Sequence, residues 1–224
     1  MEFNLLEGYP EPKNVRKVSK DLRTIKQRIV ASRRDFDFFD GERNYGYGGF
    51  AYDGRWKPIA ERIINNYFKN NTGNFLQINC EKGFLLHDIK ELNKNINVYG
   101  IEKSKYAISK SMSSVKDNII FSESLQIPFA DGFFDFLVAI GSVYTLPLND
   151  AITLLKEIQR VSNGKSFITL ATYSTEEEYF LFKDWTLLGC LMFKREEWLE
   201  VLKEANYQGF YFFHDSSSLK LVRV

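Results

Sequence analysis

The feature that most constrains the fold is the regular alternation of strand-like and helix-like segments between residues 58 and 172. Short apolar runs typical of buried strands recur there, and helical spacing of apolar residues follows each run. Strands separated by helices favour a parallel sheet with right-handed crossovers. We therefore predict an α/β domain with helices on both faces of a mostly parallel sheet. The predicted strands are residues 75–78, 98–101, 119–121, 134–140 and 166–171, and helices are predicted from Pro58, Gly83, Tyr106 and Asp150.

The two ends of the chain have a different character. Residues 35–56 hold five glycines and seven Phe or Tyr without strand or helix periodicity. Aromatic side chains need burial and glycine permits positive φ, so this stretch predicts a structured loop region. After residue 172, Ser174 or Thr175 is suited to cap an acidic helix, and residues 196–205 predict another. Residues 208–214 and 219–224 predict a β-hairpin.

These patterns suggest two parts. We predict residues 1–57 as an N-terminal extension that forms a lid, and residues 58–224 as the main domain. The run of basic residues from Lys13 to Arg34 predicts a solvated face or an oligomer contact, with a homodimer as one form. Contact with nucleic acid phosphates is the alternative for this run.

The composition narrows the class of protein. A chain of 224 residues that is 44% hydrophobic can bury the core of one α/β domain. The 30 basic residues are balanced by 29 acidic ones, which argues against general attraction to nucleic acid or membranes. Two cysteines and two histidines exclude a disulfide framework and argue against a metal site. Without an apolar span or a signal-peptide pattern, we expect a cytoplasmic protein.

The predicted strand ends carry polar residues suited to a nucleoside. In open parallel sheets, ligands bind at the carboxyl ends of the strands. The turn after the first strand leads into a helix at Gly83, so its backbone N–H groups face a ligand, although a plain tight turn is the alternative. Glu102 ends the second strand and can accept both ribose hydroxyls, unless it is a solvated loop residue. Past the third and fourth strands come Glu123, Ser124 and Leu125, suited to adenine, and Gly141, which leaves room for a ligand.

Glu81, in the first of these turns, bears on the kind of nucleotide. A carboxylate at roughly 4 Å from a pyrophosphate in a semi-buried site costs about 4 kcal/mol. S-adenosylmethionine has no phosphate and carries a cationic sulfur and an ammonium group. The acidic turn and its missing glycines therefore favour S-adenosylmethionine over NAD or FAD.

The sequence resembles class I S-adenosylmethionine-dependent methyltransferases of the bacterial small-molecule type over about residues 58–224. The matching pieces are FLQINCEKGFLLHDIKEL, VYGIEKSKYAISKS, SESLQIPFADGFFDFLVAIGSVYTL and LLKEIQRVSNGKSFITLAT. The resemblance implies a Rossmann-like seven-stranded sheet with an antiparallel last strand. It implies that the turn from Asn79 to Gly83 holds the methionine part. The implied cofactor-binding residues are Asn79, Cys80, Gly83, Glu102, Lys103, Glu123, Ser124, Leu125 and Gly141.

This sequence departs from the family pattern in that first turn. Family members usually have an acidic residue at Gln77 and glycines at Asn79 and Glu81. Glu81 is a candidate to replace the lost charge by meeting the ammonium group of the cofactor.

Candidate catalytic residues lie near the predicted site and in the N-terminal segment. Tyr144, just past Gly141, is expected near the transferred methyl group, with a packing role as its alternative. From the segment we name Asp40 and Tyr47 as catalytic candidates. Arg43 and Arg55 are candidates to hold a phosphate or carboxylate, and Trp185 is a candidate wall of the acceptor pocket, with packing as the alternative. The remaining reactive side chains are expected to be structural: His87 within a helix, His214 solvated or capping, and Cys80 as a buried filler.

The predicted function is therefore S-adenosylmethionine-dependent methylation of a small molecule. O-methylation of a sugar, or of a phosphorylated precursor of a surface glycan, is the specific expectation. Two alternatives stay open: a degenerate, non-catalytic cofactor-binding protein, and an RNA methyltransferase that uses the basic N-terminal run.

Overall fold

The computed structural model describes residues 1–12, 14–20 and 22–224. No helix within these ranges has the length and apolar character needed to cross a bilayer. The elements in chain order are β1 (Arg16–Val18), α1 (Ile25–Ser32), α2 (Phe36–Phe39), α3 (Lys57–Tyr67), β2 (Gly73–Ile78), α4 (Phe84–Leu92), β3 (Ile96–Glu102), α5 (Lys105–Ser109), β4 (Ile119–Phe121), β5 (Phe136–Ala139), α6 (Leu148–Ser162), β6 (Ser166–Ala171), α7 (Glu176–Trp185), α8 (Arg195–Glu204), β7 (Phe210–His214) and β8 (Leu221–Arg223).

The central sheet has six strands in the order β4-β3-β2-β5-β6-β7 within the described ranges. Every neighbouring pair in it is parallel. From β2 the chain adds strands in one direction as far as β4, and then in the other direction from β5. The order therefore reverses between β2 and β5, which is where open parallel sheets bind their ligands. The predicted Rossmann-like α/β fold is confirmed.

Both faces of this sheet are covered by helices, because side chains of successive strand residues point to opposite faces. Leu76 and Ile78 of β2 lie in one apolar cluster with Leu155 of α6 and Trp198 of α8. Phe75, on the opposite face of β2, lies in a second cluster that includes Ile63 of α3 and Ile89 of α4. The strand ends are thereby held rigidly at one edge of the sheet.

The last strand differs from the expectation. The prediction of a C-terminal hairpin is wrong. The main sheet therefore lacks the predicted seventh, antiparallel strand within the described ranges. β8 instead pairs in parallel with β1, in a separate two-stranded sheet where Arg16 faces Leu221. Leu221 there joins Val18 and Phe182 in a buried apolar cluster. The partner strand comes from the other end of the chain, so no local pattern indicates the pairing.

The N-terminal segment contains two helices that the periodicity analysis did not predict. α1 begins with a capping box between Thr24 and Gln27, and α2 is a single short turn capped by Asp35. Lys13 and Asp21 of the basic region lie outside the described residues. The expectation of a solvated basic face is wrong for Arg34, whose side chain is buried. The division at residue 57 stays a prediction.

Candidate active site

The turn between β2 and α4 is built from backbone in the left-handed region. Asn79, Glu81 and Gly83 have φ values of 58°, 55° and 73°. Asparagine tolerates this conformation, whereas a residue such as glutamate pays about 1–2 kcal/mol for it. Asn79 and Glu81 occupy the positions where the family usually has glycines, so the turn keeps the glycine conformation although it carries two polar side chains.

Glu102 ties this turn to the end of β3. Its side chain is 1% exposed. One carboxylate oxygen accepts a hydrogen bond from the backbone N–H of Glu81 at 2.7 Å, and the other accepts from the N–H of Ser104 at 2.8 Å. Each oxygen of an ionised carboxylate has a second lone pair, so Glu102 retains acceptor capacity for a ligand hydroxyl.

Glu123 lies at the neighbouring strand tip. Glu102 is opposite Phe121 in the β3–β4 pair, and the N–H of Ser122 donates to the carbonyl oxygen of Glu102 at 3.0 Å. Glu123 and Ser124 are exposed just beyond this point, as is Lys103, while Leu125 is half-buried. The two glutamates therefore leave adjacent strand ends at the same edge.

The switch point between β2 and β5 has room and an unsatisfied polar atom. Gly141 follows β5 with φ 64°, and a Cβ atom there would meet only the Tyr144 hydroxyl, at 3.9 Å. Gln77, at the end of β2, is buried, and its Oε1 atom has no hydrogen-bond partner among the described residues. A buried acceptor without a partner is costly, so a ligand donor at this edge would be stabilising. The edge thus fits a polar nucleoside cofactor.

The N-terminal segment lies against this edge and is anchored by Asp40. The Lys82 ammonium donates to both carboxylate oxygens of Asp40, at 2.8 Å and 2.7 Å. The Tyr106 hydroxyl and the N–H of Phe50 donate to the same carboxylate at 2.7 Å and 2.9 Å. Burial acts to raise the pKa of Asp40, but the hydrogen bonds from Lys82, Phe50 and Tyr106 outweigh it and hold the pKa below its usual value.

Other contacts bring the same segment to the turn and to α4. Arg34 donates from Nη1 to Oδ1 of Asn79 at 2.7 Å, and the Tyr47 hydroxyl donates to Glu81 at 2.6 Å. Farther along, the hydroxyl of Tyr52 donates to the buried carboxylate of Asp88. The segment is therefore in contact with the two side chains that replace the family glycines.

Electrostatics at this edge favour protonated forms. Burial raises the pKa of Glu81 to about 7, against the opposing effect of the Tyr47 hydrogen bond. Burial, followed by Glu81, raises the pKa of Tyr47 well above its usual value. Burial also raises the pKa of Tyr144, which Arg34 lowers and Glu81 raises. Both tyrosines are neutral at pH 7 and act as hydrogen-bonding groups rather than as anions.

The predicted catalytic residues occupy unequal positions. Tyr144 is half-buried beside Gly141, and Tyr47 contacts Glu81, so both lie near the carboxyl ends of the parallel strands. The carboxylate of Asp40 is already occupied by Lys82, Tyr106 and Phe50. Those partners give Asp40 an anchoring role, and its catalytic role stays a prediction.

The predicted substrate residues also differ in availability. Arg55 is held by Asp53, with contacts of 2.5–2.9 Å. Arg43 donates to the carbonyl oxygen of Gly46. Trp185 ends α7, and the Arg16 guanidinium lies over its ring at 5.3 Å from the centroid.

The histidines and cysteines lie as follows. His87 contacts the Ser114 hydroxyl at 2.7 Å, and Cys80 is buried. His214 is half-buried at the end of β7, and burial lowers its pKa to about 4. In the part of the chain that the structure describes, no group of three His, Cys, Asp or Glu side chains is placed to hold a metal ion.

Three residues at or near this edge were not predicted from the sequence. Lys82 and Arg34 are separated along the chain from the groups they contact, and the basic run containing Arg34 and Arg23 gave no sign of burial. Arg23 donates to the carbonyl oxygens of Trp185 at 3.2 Å and Asn44 at 3.0 Å. Of the three, only Lys82 could have been predicted to lie at this edge, because it belongs to the first motif.

Comparisons with known proteins agree with this geometry. A family model described as a methyltransferase domain matches residues 76–168. BH2331 of Bacillus halodurans, which bears a methyltransferase name, superposes with a TM-score of 0.52 at 14% identity, covering 65% of this chain and 67% of that one. YcgJ of Bacillus subtilis gives 0.52 at 14% identity, covering 65% of this chain and 66% of that one.

A third similar structure, the [4+2]-cyclase SpnF, gives a TM-score of 0.51 at 16% identity over 66% of this chain. The matched region spans 57% of the SpnF chain. At such identities the likeness shows the fold alone, and the name of SpnF illustrates that one fold serves different reactions. The sequence matches none of the curated proteins with which it was compared.

The matched region runs from β2 into β6 and includes the strand-end positions described above. Residues 76–168 are therefore similar to a methyltransferase domain, and the sheet around them has the fold of the solved structures named above. A methyltransferase domain implies S-adenosylmethionine as the cofactor, and the buried acceptors Glu102 and Gln77 and the open space at Gly141 are suitable surroundings for it.

Proposed function

We propose that this protein transfers the methyl group of S-adenosylmethionine to a small-molecule acceptor. The observation that carries the proposal is the buried Glu102 carboxylate at the switch-point edge of a methyltransferase-domain sheet. When bound, the cofactor supplies an electrophilic methyl group on a sulfonium, so positioning and exclusion of water provide much of the rate.

The chain's residues divide into two groups around that edge. For the cofactor, Glu102 accepts from the ribose hydroxyls and Glu123 from the adenine amino group, while the amide of Ser124 or Leu125 donates to a ring nitrogen. Asn79, Cys80, Gly83, Lys103 and Gly141 complete the proposed cofactor-binding set. For the acceptor, Tyr144 and Tyr47 orient the acceptor atom, and the N-terminal segment acts as the lid that excludes water.

The acceptor is proposed to be anionic, because Arg16 and Arg23 contact Trp185 and the charge of Arg43 acts on both of them. Arg16 lies over the Trp185 ring, and Arg23 donates to the Trp185 carbonyl oxygen. The other contact of Arg23, to Asn44, places it next to Arg43. Burial, and then Arg43, lower the pKa of both Arg16 and Arg23, as expected for like charges in proximity. No ion pair to a described carboxylate compensates any of the three.

Guanidinium groups bind phosphate and carboxylate through paired hydrogen bonds. The arginines therefore support the more specific proposal, O-methylation of a phosphorylated sugar or surface-glycan precursor. Arg43 and Trp185 belong to this acceptor site. Arg55 stays a candidate that would first have to leave Asp53.

The proposal is tested by calorimetry with S-adenosylhomocysteine, followed by transfer of a labelled methyl group. We expect measurable binding by the full chain, and label that moves into a small-molecule extract but not into total RNA. No heat at millimolar ligand would refute the proposal. Label in RNA that falls steeply with added salt would support an RNA methyltransferase instead.

A non-catalytic cofactor-binding protein is the second candidate. The observation that favours it is the turn after β2, where Asn79 and Glu81 carry side chains in positions usual for glycine. Binding of S-adenosylhomocysteine without methyl transfer to small molecules or to RNA would select this candidate.

A further inference from the structure

Arg34 is a buried cation without a carboxylate partner among the described residues. Its side chain is 5% exposed, and its hydrogen bond from Nη1 goes to the neutral amide oxygen of Asn79 at 2.7 Å. The guanidinium also lies 5.7 Å from the centroid of the Phe38 ring. A buried charge is costly unless it is paired, and the other guanidinium nitrogens form no hydrogen bond within the described ranges. The position therefore suits an anion.

Glu81 is a carboxylate whose surroundings suit a cation. Its Oε1 atom accepts from Tyr47, and Oε2 has no hydrogen-bond partner in the described part of the chain. The charged groups that act on it are Arg34 and Lys82, which lower its pKa, and Glu102, which raises it; burial is the largest effect and leaves the pKa at about 7. The two cations therefore compensate this carboxylate only in part, so a cation brought to it would be stabilised.

Both groups lie at one turn. Asn79, which receives the Arg34 hydrogen bond, is two residues before Glu81, and both have the left-handed backbone of the turn after β2. By resemblance this turn holds the methionine part of the cofactor. That part is an amino acid, with one carboxylate and one ammonium group. A cation and an anion at the same turn are the complement of such a zwitterion.

We propose that Arg34 binds the carboxylate and Glu81 the ammonium group of the cofactor's amino-acid end, in place of a glycine-rich turn. This inference rests on the proposed function, because it concerns the same cofactor. It assigns the N-terminal segment a direct part in the cofactor site, since that segment supplies Arg34 and, through Tyr47, orients Glu81.

The competing interpretation is that these side chains obstruct the turn. The two interpretations predict opposite changes in the affinity for the amino-acid end when the side chains are truncated. If Arg34 and Glu81 are ligands, truncating them weakens binding of the amino-acid end. If they obstruct the site, truncation strengthens binding.

The test compares two nucleosides by calorimetry on the full chain. S-adenosylhomocysteine has the amino-acid end, whereas 5′-methylthioadenosine lacks it. For Arg34→Ala we expect the Kd of S-adenosylhomocysteine to rise about 10- to 100-fold, the range for lost hydrogen bonds to charged groups. For Glu81→Gln we expect a rise of about 10-fold. The Kd of 5′-methylthioadenosine should change less than about threefold in both variants, since it makes neither contact.

Matched controls are Arg33→Ala and Glu91→Gln, which remove exposed charges of the same type. Arg34→Lys serves as a second variant should Arg34→Ala fail to fold, and thermal melts verify folding of each protein. We expect Arg34→Lys to keep part of the affinity, since it retains the charge but not the fork of donors.

Several outcomes would overturn the inference. Tighter binding of S-adenosylhomocysteine by the variants would show obstruction, and equal weakening of both nucleosides would show a merely structural role. Unchanged affinities would overturn it while leaving the proposed function intact. Failure of the wild-type chain to bind S-adenosylhomocysteine would overturn both.

Discussion

The ammonium group of Lys82 lies 2.7 Å and 2.8 Å from the two carboxylate oxygens of Asp40. Lys82 belongs to the turn after β2, and Asp40 belongs to the N-terminal segment. The Lys82 side chain is 8% exposed, and its remaining hydrogen bond goes to the Phe50 carbonyl oxygen of the same segment. The charge of Lys82, in the turn after β2, is therefore compensated by a carboxylate of the N-terminal segment.

Removing one partner of this pair should destabilise the protein. Asp40→Asn leaves the Lys82 ammonium buried with its compensation reduced, and we expect a loss of about 3 kcal/mol in the free energy of unfolding. Urea titration would measure it. The matched control is Glu2→Gln, which removes the partner of Arg195 in an exposed pair and should cost less than about 1 kcal/mol. Equal small losses in both variants would contradict the anchoring role.

Substitution of Glu102 should affect stability and cofactor binding differently from substitution of Glu123. Glu102→Ala removes the acceptor of two backbone N–H groups, so we expect unfolding to become easier by about 2 kcal/mol and S-adenosylhomocysteine to bind about 1–3 kcal/mol more weakly. Glu123→Ala, at an exposed position, should change stability by less than about 0.5 kcal/mol.

Calorimetry and thermal melts on the same preparations would separate the two effects. Unchanged affinity in folded Glu102→Ala would refute the ribose assignment. A strong loss of stability in Glu123→Ala would show that this residue has contacts beyond those at the strand tip.

Glu81 should make the stability of the free protein depend on pH. Its pKa in the folded chain is about 7, above the ordinary value of 4.5, so the folded state binds the proton more tightly than the unfolded state. The contribution of protonated Glu81 to the stability of the folded state is fully present below pH 4.5. It is lost as the pH rises through about 7. We expect a decline of about 1–3 kcal/mol over this range.

The measurement is urea unfolding at intervals from pH 4.5 to 8. Glu81→Gln cannot ionise, so the decline attributable to this residue should be absent from its profile. Parallel profiles for the wild type and Glu81→Gln would contradict the assignment.

Tyr52 should stabilise the attachment of the segment to α4. Asp88 is buried, one of its oxygens has no partner among the described residues, and the other accepts from Tyr52. Tyr52→Phe leaves the carboxylate without this donor, which should cost about 1–3 kcal/mol in unfolding free energy. Tyr45→Phe is a comparison at another tyrosine of the segment, at a half-buried position. Chemical denaturation of both proteins would show whether Tyr52→Phe loses more unfolding free energy than Tyr45→Phe.

Local patterns predicted β2 to β6 of the main sheet, but not how its last strand pairs. The fourth predicted strand, residues 134–140, appears as β5, and the helix predicted from Gly83 appears as α4. Such segments can be predicted from the sequence because strand and helix periodicity depend on neighbouring residues alone. α2 was missed because a single turn, of four residues, is too short to show a period.

The positions of the polar residues at the strand ends were predicted from the sequence, but their contacts were not. Glu102 follows from its place at a strand end, since parallel strands bring their carboxyl ends to one edge. The hydrogen bond from Arg34 to Asn79 joins residues far apart in the chain, and no spacing rule links them.

The amino-acid sequence by itself determined the alternation of strands and helices from α3 to β6 and the polar residues at the strand ends, because these follow from local periodicity. Only the tertiary structure decided that β8 pairs with β1, that Arg34 is buried, and that Asp40 compensates Lys82. Those features depend on which distant surfaces meet, and a buried charge acquires its partner only once the chain has folded.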